Sequence, residues 1–95
     1  MIGPAGPQHY LLGLKNGATH LCEIESNQFV RELQTFGNKL ITSAYNSDAQ
    51  FLAVGLDNHK VCVFDQNSGE VFTLISIVEV QDDITALLWH NQHSL

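Results

Sequence analysis

The chain has 95 residues and a mass of 10.5 kDa, the size of one small domain, which excludes a second independent core. Apolar residues make up 44% and charged residues 15%, a balance typical of folded proteins rather than of disordered chains. Four Lys and Arg against ten Asp and Glu give a net charge of −6, which argues against direct binding of nucleic acid because phosphate backbones attract basic surfaces.

Neither a membrane span nor a secretion signal is predicted. No run approaches the roughly 18 apolar residues that cross a bilayer, and residues 1–7 lack the basic start and long apolar stretch of a signal peptide. We therefore expect a cytoplasmic location with no transmembrane segment. Cys22 and Cys62 could form one disulfide, but the chain has no dense cysteine framework, so we expect reduced and packed thiols.

Turn residues divide the chain into short segments typical of strands. Asn16-Gly17 is a strong hairpin signal, and Asp57-Asn58-His59 predicts a second hairpin in which Asn58 tolerates a positive φ. Asn67-Ser68-Gly69 predicts the next turn. The stretch 70–80 is apolar on both faces and ambiguous, although no segment has a convincing helical period beyond two turns. We predict strands near residues 10–14, 18–24, 28–35, 40–46, 50–56, 60–65, 70–79 and 84–89.

The chain also repeats itself. Residues 10–17 align with 52–59 at an offset of 42, which pairs Gly13 with Gly55. Residues 40–45 align with 84–89 at an offset of 44. Four short strands in a period of about 40–45 residues are typical of a β-propeller blade.

The segment 41–57, followed by 61–65, resembles the WD40 repeat, with Phe64-Asp65 at the Trp-Asp position and Cys22-Glu23 at the same place in the first unit. The resemblance implies an all-β, partial WD40-like β-propeller of about two four-stranded antiparallel blades. It divides the chain into a Gly/Pro-rich lead-in at 1–9, a partial first blade at 10–36, a second blade at 37–79 and the first strand of a third blade at 80–95.

Two features depart from the family pattern. The Gly-His that precedes the innermost strand is replaced by Gly37-Asn38-Lys39 and by Gln81-Asp82-Asp83. Asp57 keeps the acid of the turn, whereas Lys15 does not, so the family's His-Asp-Trp network is incomplete in both units. The positions that we expect to be structural in the repeat are Gly13, Asn16, Gly17, Cys22, Glu23, Tyr45, Gly55, Asp57, Phe64, Asp65 and Trp89.

The number of blades predicts a fragment. Propellers use about 4–8 blades, and stacked repeats need about three units for stability. We therefore expect the chain to belong to a longer propeller, to require the missing blades, and not to be stable by itself.

No constellation of residues predicts catalysis. His20, Cys22 and Cys62 lack the paired spacing of a zinc site, and His90 and His93 fit an exposed turn. The sequence contains no phosphate-binding glycine loop and no Gly-x-Ser-x-Gly elbow. Asp82-Asp83 are adjacent and fit a solvated loop. We expect no catalytic, cofactor or metal site, with an enzyme on a small β-sandwich as the remaining alternative.

A narrower resemblance concerns the start of the chain. Residues 2–7, a short spacer and residues 11–17 are similar to the second propeller of intraflagellar transport complex A subunits, and 52–54, 61–65 and 88–91 follow in the same order. This resemblance implies a non-catalytic scaffold of retrograde ciliary transport that binds other subunits at the cilium or ciliary base. The alternative is a generic WD40 adaptor in vesicle trafficking or ubiquitin ligation.

Overall fold

The computed structural model describes residues 1–46, 50–67, 71–87 and 89, and this part of the chain is all-β. The strands are β1 (Ile2–Pro4), β2 (His9–Gly13), β3 (Thr19–Glu23), β4 (Phe29–Leu33), β5 (Leu40–Asn46), β6 (Phe51–Leu56), β7 (Lys60–Asn67) and β8 (Val71–Glu79).

The strands form two four-stranded antiparallel sheets, each a meander in chain order. Sheet 1 has the order β1-β2-β3-β4, and sheet 2 has the order β5-β6-β7-β8. This confirms the all-β class and the two four-stranded units expected from the sequence. The ambiguous stretch 70–80 forms β8, a strand, because its backbone pairs with β7 from Lys60 to Asn67.

Two elements differ from the sequence prediction. β1 lies inside the segment assigned to the lead-in, and its Pro4 is tolerated because β1 is an edge strand that ends there. A strand was predicted at 84–89, but its described residues, 84–87 and 89, belong to no strand. A β-strand needs backbone hydrogen bonds to a neighbouring strand. The described part of the chain has no third sheet with which this segment could form them.

Both predicted hairpins form, each with a left-handed residue at its end. In the first, Leu14 N donates to Ala18 O at 2.9 Å and Gly17 N to Leu14 O at 3.1 Å, so the loop has three residues and only Gly17 has a positive φ, 89°. In the second, the positive φ of 66° belongs to His59. The expectation that Asn58 takes this conformation is therefore wrong, because the left-handed position is the third of the loop.

The core lies between the two sheets. Sheet 1 contributes fully buried leucines, and sheet 2 contributes Phe64 and Phe72, which are 0% and 1% exposed. β1 packs beside β5, where Ser43 Oγ donates to Pro4 O at 2.8 Å. The other members of the buried cluster are Ala5, Leu11, Leu21, Leu33, Leu40, Leu52, Val54, Leu56 and Cys62.

Candidate protein-interaction surfaces

Gly13 and Gly55 have the same structural role in the two units. A Cβ atom at Gly13 would lie 2.9 Å from Leu40 Cβ, and one at Gly55 would lie 2.9 Å from Ile84 Cγ2. Each glycine therefore leaves room for the first apolar side chain of the segment that follows its sheet. Since Leu40 and Ile84 are paired by the offset of 44, the sequence repeat corresponds to a repeated packing contact.

The residues at the Trp-Asp position lie on the third strand of each sheet. Cys22 and Phe64 are both buried, whereas the acids that follow them face outward to different degrees. Glu23 is exposed and accepts a hydrogen bond from Ser26 Oγ at 2.7 Å, and Asp65 is half-buried. Phe64 is thus part of the core between the two sheets, whereas Cys22 lies opposite Tyr10 and Phe29 on the other side of sheet 1.

Asp57 joins the second hairpin to the chain that leads into β5. Its carboxylate Oδ1 accepts a hydrogen bond from Lys39 N at 3.1 Å, and its own N donates to Lys39 O at 3.0 Å. In the first unit, Lys15 has no carboxylate to make such a bond, and Asn16 Oδ1 accepts from Ala18 N instead. Asp57 therefore stabilises the segment that leads into β5.

Tyr45 and Trp89 occupy matching places in successive units. The Tyr45 ring packs edge-on to Phe72, with ring centroids 6.3 Å apart. Trp89 Nε1 donates to Ala44 O at 2.9 Å, and its ring lies 6.1 Å from that of Phe51. Both aromatic residues therefore contribute to packing, and residues 84–87 and 89 belong to no strand of sheet 2.

A contact that the sequence did not predict lies at the other end of sheet 2, beside the hairpin between β6 and β7. His59 Nε2 lies 2.7 Å from Asp83 Oδ1, and His59 O accepts a hydrogen bond from Val80 N at 2.8 Å. In sheet 1 the corresponding carbonyl, Gly17 O, accepts from Thr35 Oγ1 at 3.1 Å. Gly17 and His59 are 42 residues apart, so the sequence repeat was the signal that could have indicated equivalent hydrogen bonds to their carbonyl groups.

Two clefts at equivalent places of the repeat carry opposite charge. One of about 190 Å³ is lined by Lys15 and Lys39, and the next, of about 330 Å³, is lined by Asp57 and Asp83. Both lie where a hairpin meets the segment that leads into the following unit. The four side chains are exposed, so their charges are available to a partner.

The largest difference between the two units is an open face of sheet 1. This open face, defined by Ile2, Tyr10, Leu12, His20 and Phe29, carries apolar and aromatic side chains on one side of the sheet. Ile2 and Phe29 are 69% and 56% exposed, and the His20 and Phe29 rings are 4.7 Å apart.

In sheet 2 the face equivalent to the open face is covered. The positions of sheet 2 that correspond to Tyr10, Leu12 and His20 are 0% exposed, because that side of sheet 2 packs on sheet 1. No sheet covers the open face in the described part of the chain. Contiguous exposed apolar side chains mark sites of protein–protein contact. These positions in sheet 2 are Leu52, Val54 and Cys62.

The two thiols are free and buried, which confirms the expectation of reduced, packed cysteines. Burial raises the pKa of the Cys62 thiol, and nearby Lys60 opposes this effect more weakly. A raised pKa keeps the thiol protonated and unreactive near neutral pH.

The described residues lack two kinds of site. They contain no group of three or more His, Cys, Asp or Glu side chains that could hold a metal ion. Within the same ranges, no helix is long and apolar enough to cross a membrane.

Comparison with known proteins gives no relative: no protein-family model, curated protein or solved structure matches the chain.

Proposed function

We propose that the chain is part of a non-catalytic protein–protein interaction scaffold of the WD40-like propeller type. The observation that carries this proposal is the repeated contact of Leu40 with Gly13 and of Ile84 with Gly55. In a propeller each blade packs on the next in the same way, and this contact follows each of the two sheets at the same place in the repeat.

The open face of sheet 1 supports the docking of a further sheet or of a partner protein. Its side chains correspond to residues that are buried in sheet 2, so covering them removes apolar surface from water. The two clefts of opposite charge, one lined by Lys15 and Lys39 and the other by Asp57 and Asp83, support a partner with complementary charges. Charges of this kind act mainly on association rate and specificity.

The narrower proposal is a role in ciliary transport, at the cilium or ciliary base, as a subunit that binds other transport subunits. It depends on the resemblance of residues 2–7 and 11–17 to intraflagellar transport complex A subunits. A generic WD40 adaptor in vesicle trafficking or ubiquitin ligation is the second candidate, because the same repeated sheets suit any scaffold of this type.

The test is to express the tagged chain in ciliated cells, locate it by fluorescence and identify the proteins that co-purify with it. We expect it at the ciliary base or axoneme, together with other transport subunits. Exclusive recovery with ubiquitin-ligase or coat components would reject the ciliary role and retain the scaffold. Turnover of a small substrate by the purified chain would reject both.

A matched pair of variants tests the surface. Phe29→Lys places a charge on the open face, whereas Phe36→Lys places the same charge on an equally exposed phenylalanine outside it; the two wild-type side chains are 56% and 62% exposed. We expect Phe29→Lys to reduce partner recovery about tenfold, as expected for an interface residue worth about 1.4 kcal/mol. Equal losses in both variants would show that the open face is not the docking site.

A further inference from the structure

β8 is a long strand, and in the described part of the chain no strand pairs with its outer edge. It spans nine residues, about 30 Å of extended chain, and is the outermost strand of sheet 2. Its inner edge pairs with β7. The backbone N–H and C=O groups of the outer edge therefore have the geometry to accept another strand.

Apolar side chains flank this edge. Ile75, Ile77 and Val78 are 51%, 47% and 46% exposed. Ile77 lies opposite Cys62 and Val78 opposite Val61, so the exposed side chains occupy both faces of the strand. The register shift next to Phe64 leaves Ile75 without an opposite residue, which makes it the bulged position. Exposed apolar edge strands are sites of intermolecular pairing.

The corresponding edge of sheet 1 is protected in a way that β8 is not. β4 has five residues and carries Arg31 and Glu32, charged side chains that discourage pairing with another strand. β8 contains no charged residue from 71 to 78 and no proline. Charge-free segments with many Ile, Val and Phe residues have the composition of self-pairing strands.

We infer that β8 is a docking strand for a second copy of this chain, which pairs through its own β8 in antiparallel orientation about a two-fold axis. Two copies each carry a net charge of −6 and repel one another wherever acidic surfaces meet. The segment 71–78, which has no charged residue, is the place where they can approach without that repulsion. Sheet 2 of one copy and sheet 2 of the other then join into one continuous sheet of eight strands. The side chains of Ile75, Ile77 and Val78 in one copy lie beside the same side chains of the second copy.

The size of the contact sets the strength of the association. A single strand pair buries less than the approximately 1,200 Å² that separates standard interfaces from weak ones. The dimer is therefore reversible, and its dissociation constant is expected in the micromolar range or weaker. This inference is independent of the proposed function, because it depends on the residues of β8 and on none that define the open face of sheet 1.

Sedimentation velocity from about 5 to about 500 µM protein measures the association at fixed ionic strength. The wild-type chain should move from monomer towards dimer over this range. Ile77→Lys should remain monomeric, because it places a charge at the pairing edge. Ile24→Lys is the matched control, since Ile24 is 49% exposed, lies outside β8 and gains the same charge. It should dimerise like the wild type.

Hydrogen exchange of the wild-type chain provides a second measurement that needs no variant. Amides at the outer edge of β8 should exchange at least about tenfold more slowly at the highest protein concentration than at the lowest, as expected when they become hydrogen-bonded. A wild-type chain that stays monomeric, association that persists unchanged in Ile77→Lys, or exchange in β8 that does not depend on concentration would overturn the inference.

Discussion

Gly55 has no space for a side chain, because Ile84 Cγ2 and Thr42 Cγ2 would lie 2.9 Å and 3.1 Å from its Cβ atom. Gly55→Ala is therefore expected to lower the free energy of unfolding by about 1–3 kcal/mol, the range for an overpacked core. Urea denaturation of the wild type and the variant measures the difference.

The control for this prediction removes the obstructing methyl group. Ile84→Ala should recover most of the stability lost in Gly55→Ala, since residues in direct contact have non-additive effects. Independent effects of the two substitutions would show that Ile84 does not pack on Gly55. Gly13→Ala should behave like Gly55→Ala, because Leu40 Cβ leaves equally little space there.

The Cys62 thiol makes the free energy of unfolding depend on pH in the alkaline range. Burial raises its pKa in the folded chain, so the folded state holds the proton over a range in which the unfolded state has lost it. The contribution to stability is full below the ordinary thiol pKa of about 8.5 and is lost as pH rises from there through the folded pKa.

Urea denaturation at intervals from about pH 8 to about pH 9.5 checks this dependence, below the ordinary tyrosine pKa of about 10. The free energy of unfolding should fall with pH in the wild type and fall less steeply in Cys62→Ala. Val63→Ala truncates an adjacent residue that does not titrate and should keep the wild-type slope. The same slope in Cys62→Ala would contradict the assignment.

At the level of elements, Asp57 connects the hairpin between β6 and β7 to the start of β5. Asp57→Ala removes the acceptor for Lys39 N and should lower the free energy of unfolding by about 1 kcal/mol, a typical net value for one hydrogen bond. Asp57→Asn keeps an acceptor oxygen and should lose less. The thermal midpoint of each variant measures the effect.

Lys15→Ala is the control at the equivalent position of the first unit. The Lys15 side chain is exposed on a turn, so its removal should change stability by less than about 0.5 kcal/mol. Equal losses in Asp57→Ala and Lys15→Ala would count against the alignment of the two units.

Strands were predictable because alternation and turn residues are local properties. β5 begins and ends where the alternation of residues 40–46 indicated, and β2 and β3 differ from their predicted ranges by one residue. β1 was not predicted, since three residues that include Gly3 and Pro4 carry no strand pattern. The segment at 84–89 has a strand pattern, but pattern alone cannot provide the neighbouring strand on which a ladder depends.

The surfaces were less predictable than the strands. The glycines were found as repeat positions, but their role depends on Leu40 and Ile84, which are distant in sequence. The contact of His59 with Asp83 joins residues 24 positions apart and leaves no local signal. The open face follows from which sheet lies next to which, a property of packing that a single strand's sequence does not contain.

For the whole molecule, a shared core coexists with large uncovered surfaces. The radius of gyration is 12.2 Å, close to the roughly 12 Å of a compact domain of this length. Phe29 and Ile2 on the open face and Ile77 on β8 remain exposed. Because these apolar side chains remain outside the core, the free energy gained by burial should exceed the cost in chain entropy by only a small margin.

We therefore expect the 95-residue chain alone to unfold with a free energy of about 3 kcal/mol or less. Urea denaturation followed by circular dichroism, at a concentration low enough to suppress association, measures this value. A free energy above about 8 kcal/mol, in the range of complete domains, would show that the open face needs no cover.

The packing of one apolar side chain over a glycine in each unit also bears on how this chain tolerates changes of length. The distance along the sequence is 27 residues from Gly13 to Leu40 and 29 from Gly55 to Ile84, yet the packing is the same. The outermost strands differ more, with five residues in β4 and nine in β8. Insertions or deletions of one or two residues are therefore accommodated after the hairpin between the second and third strands, which has three residues in both units.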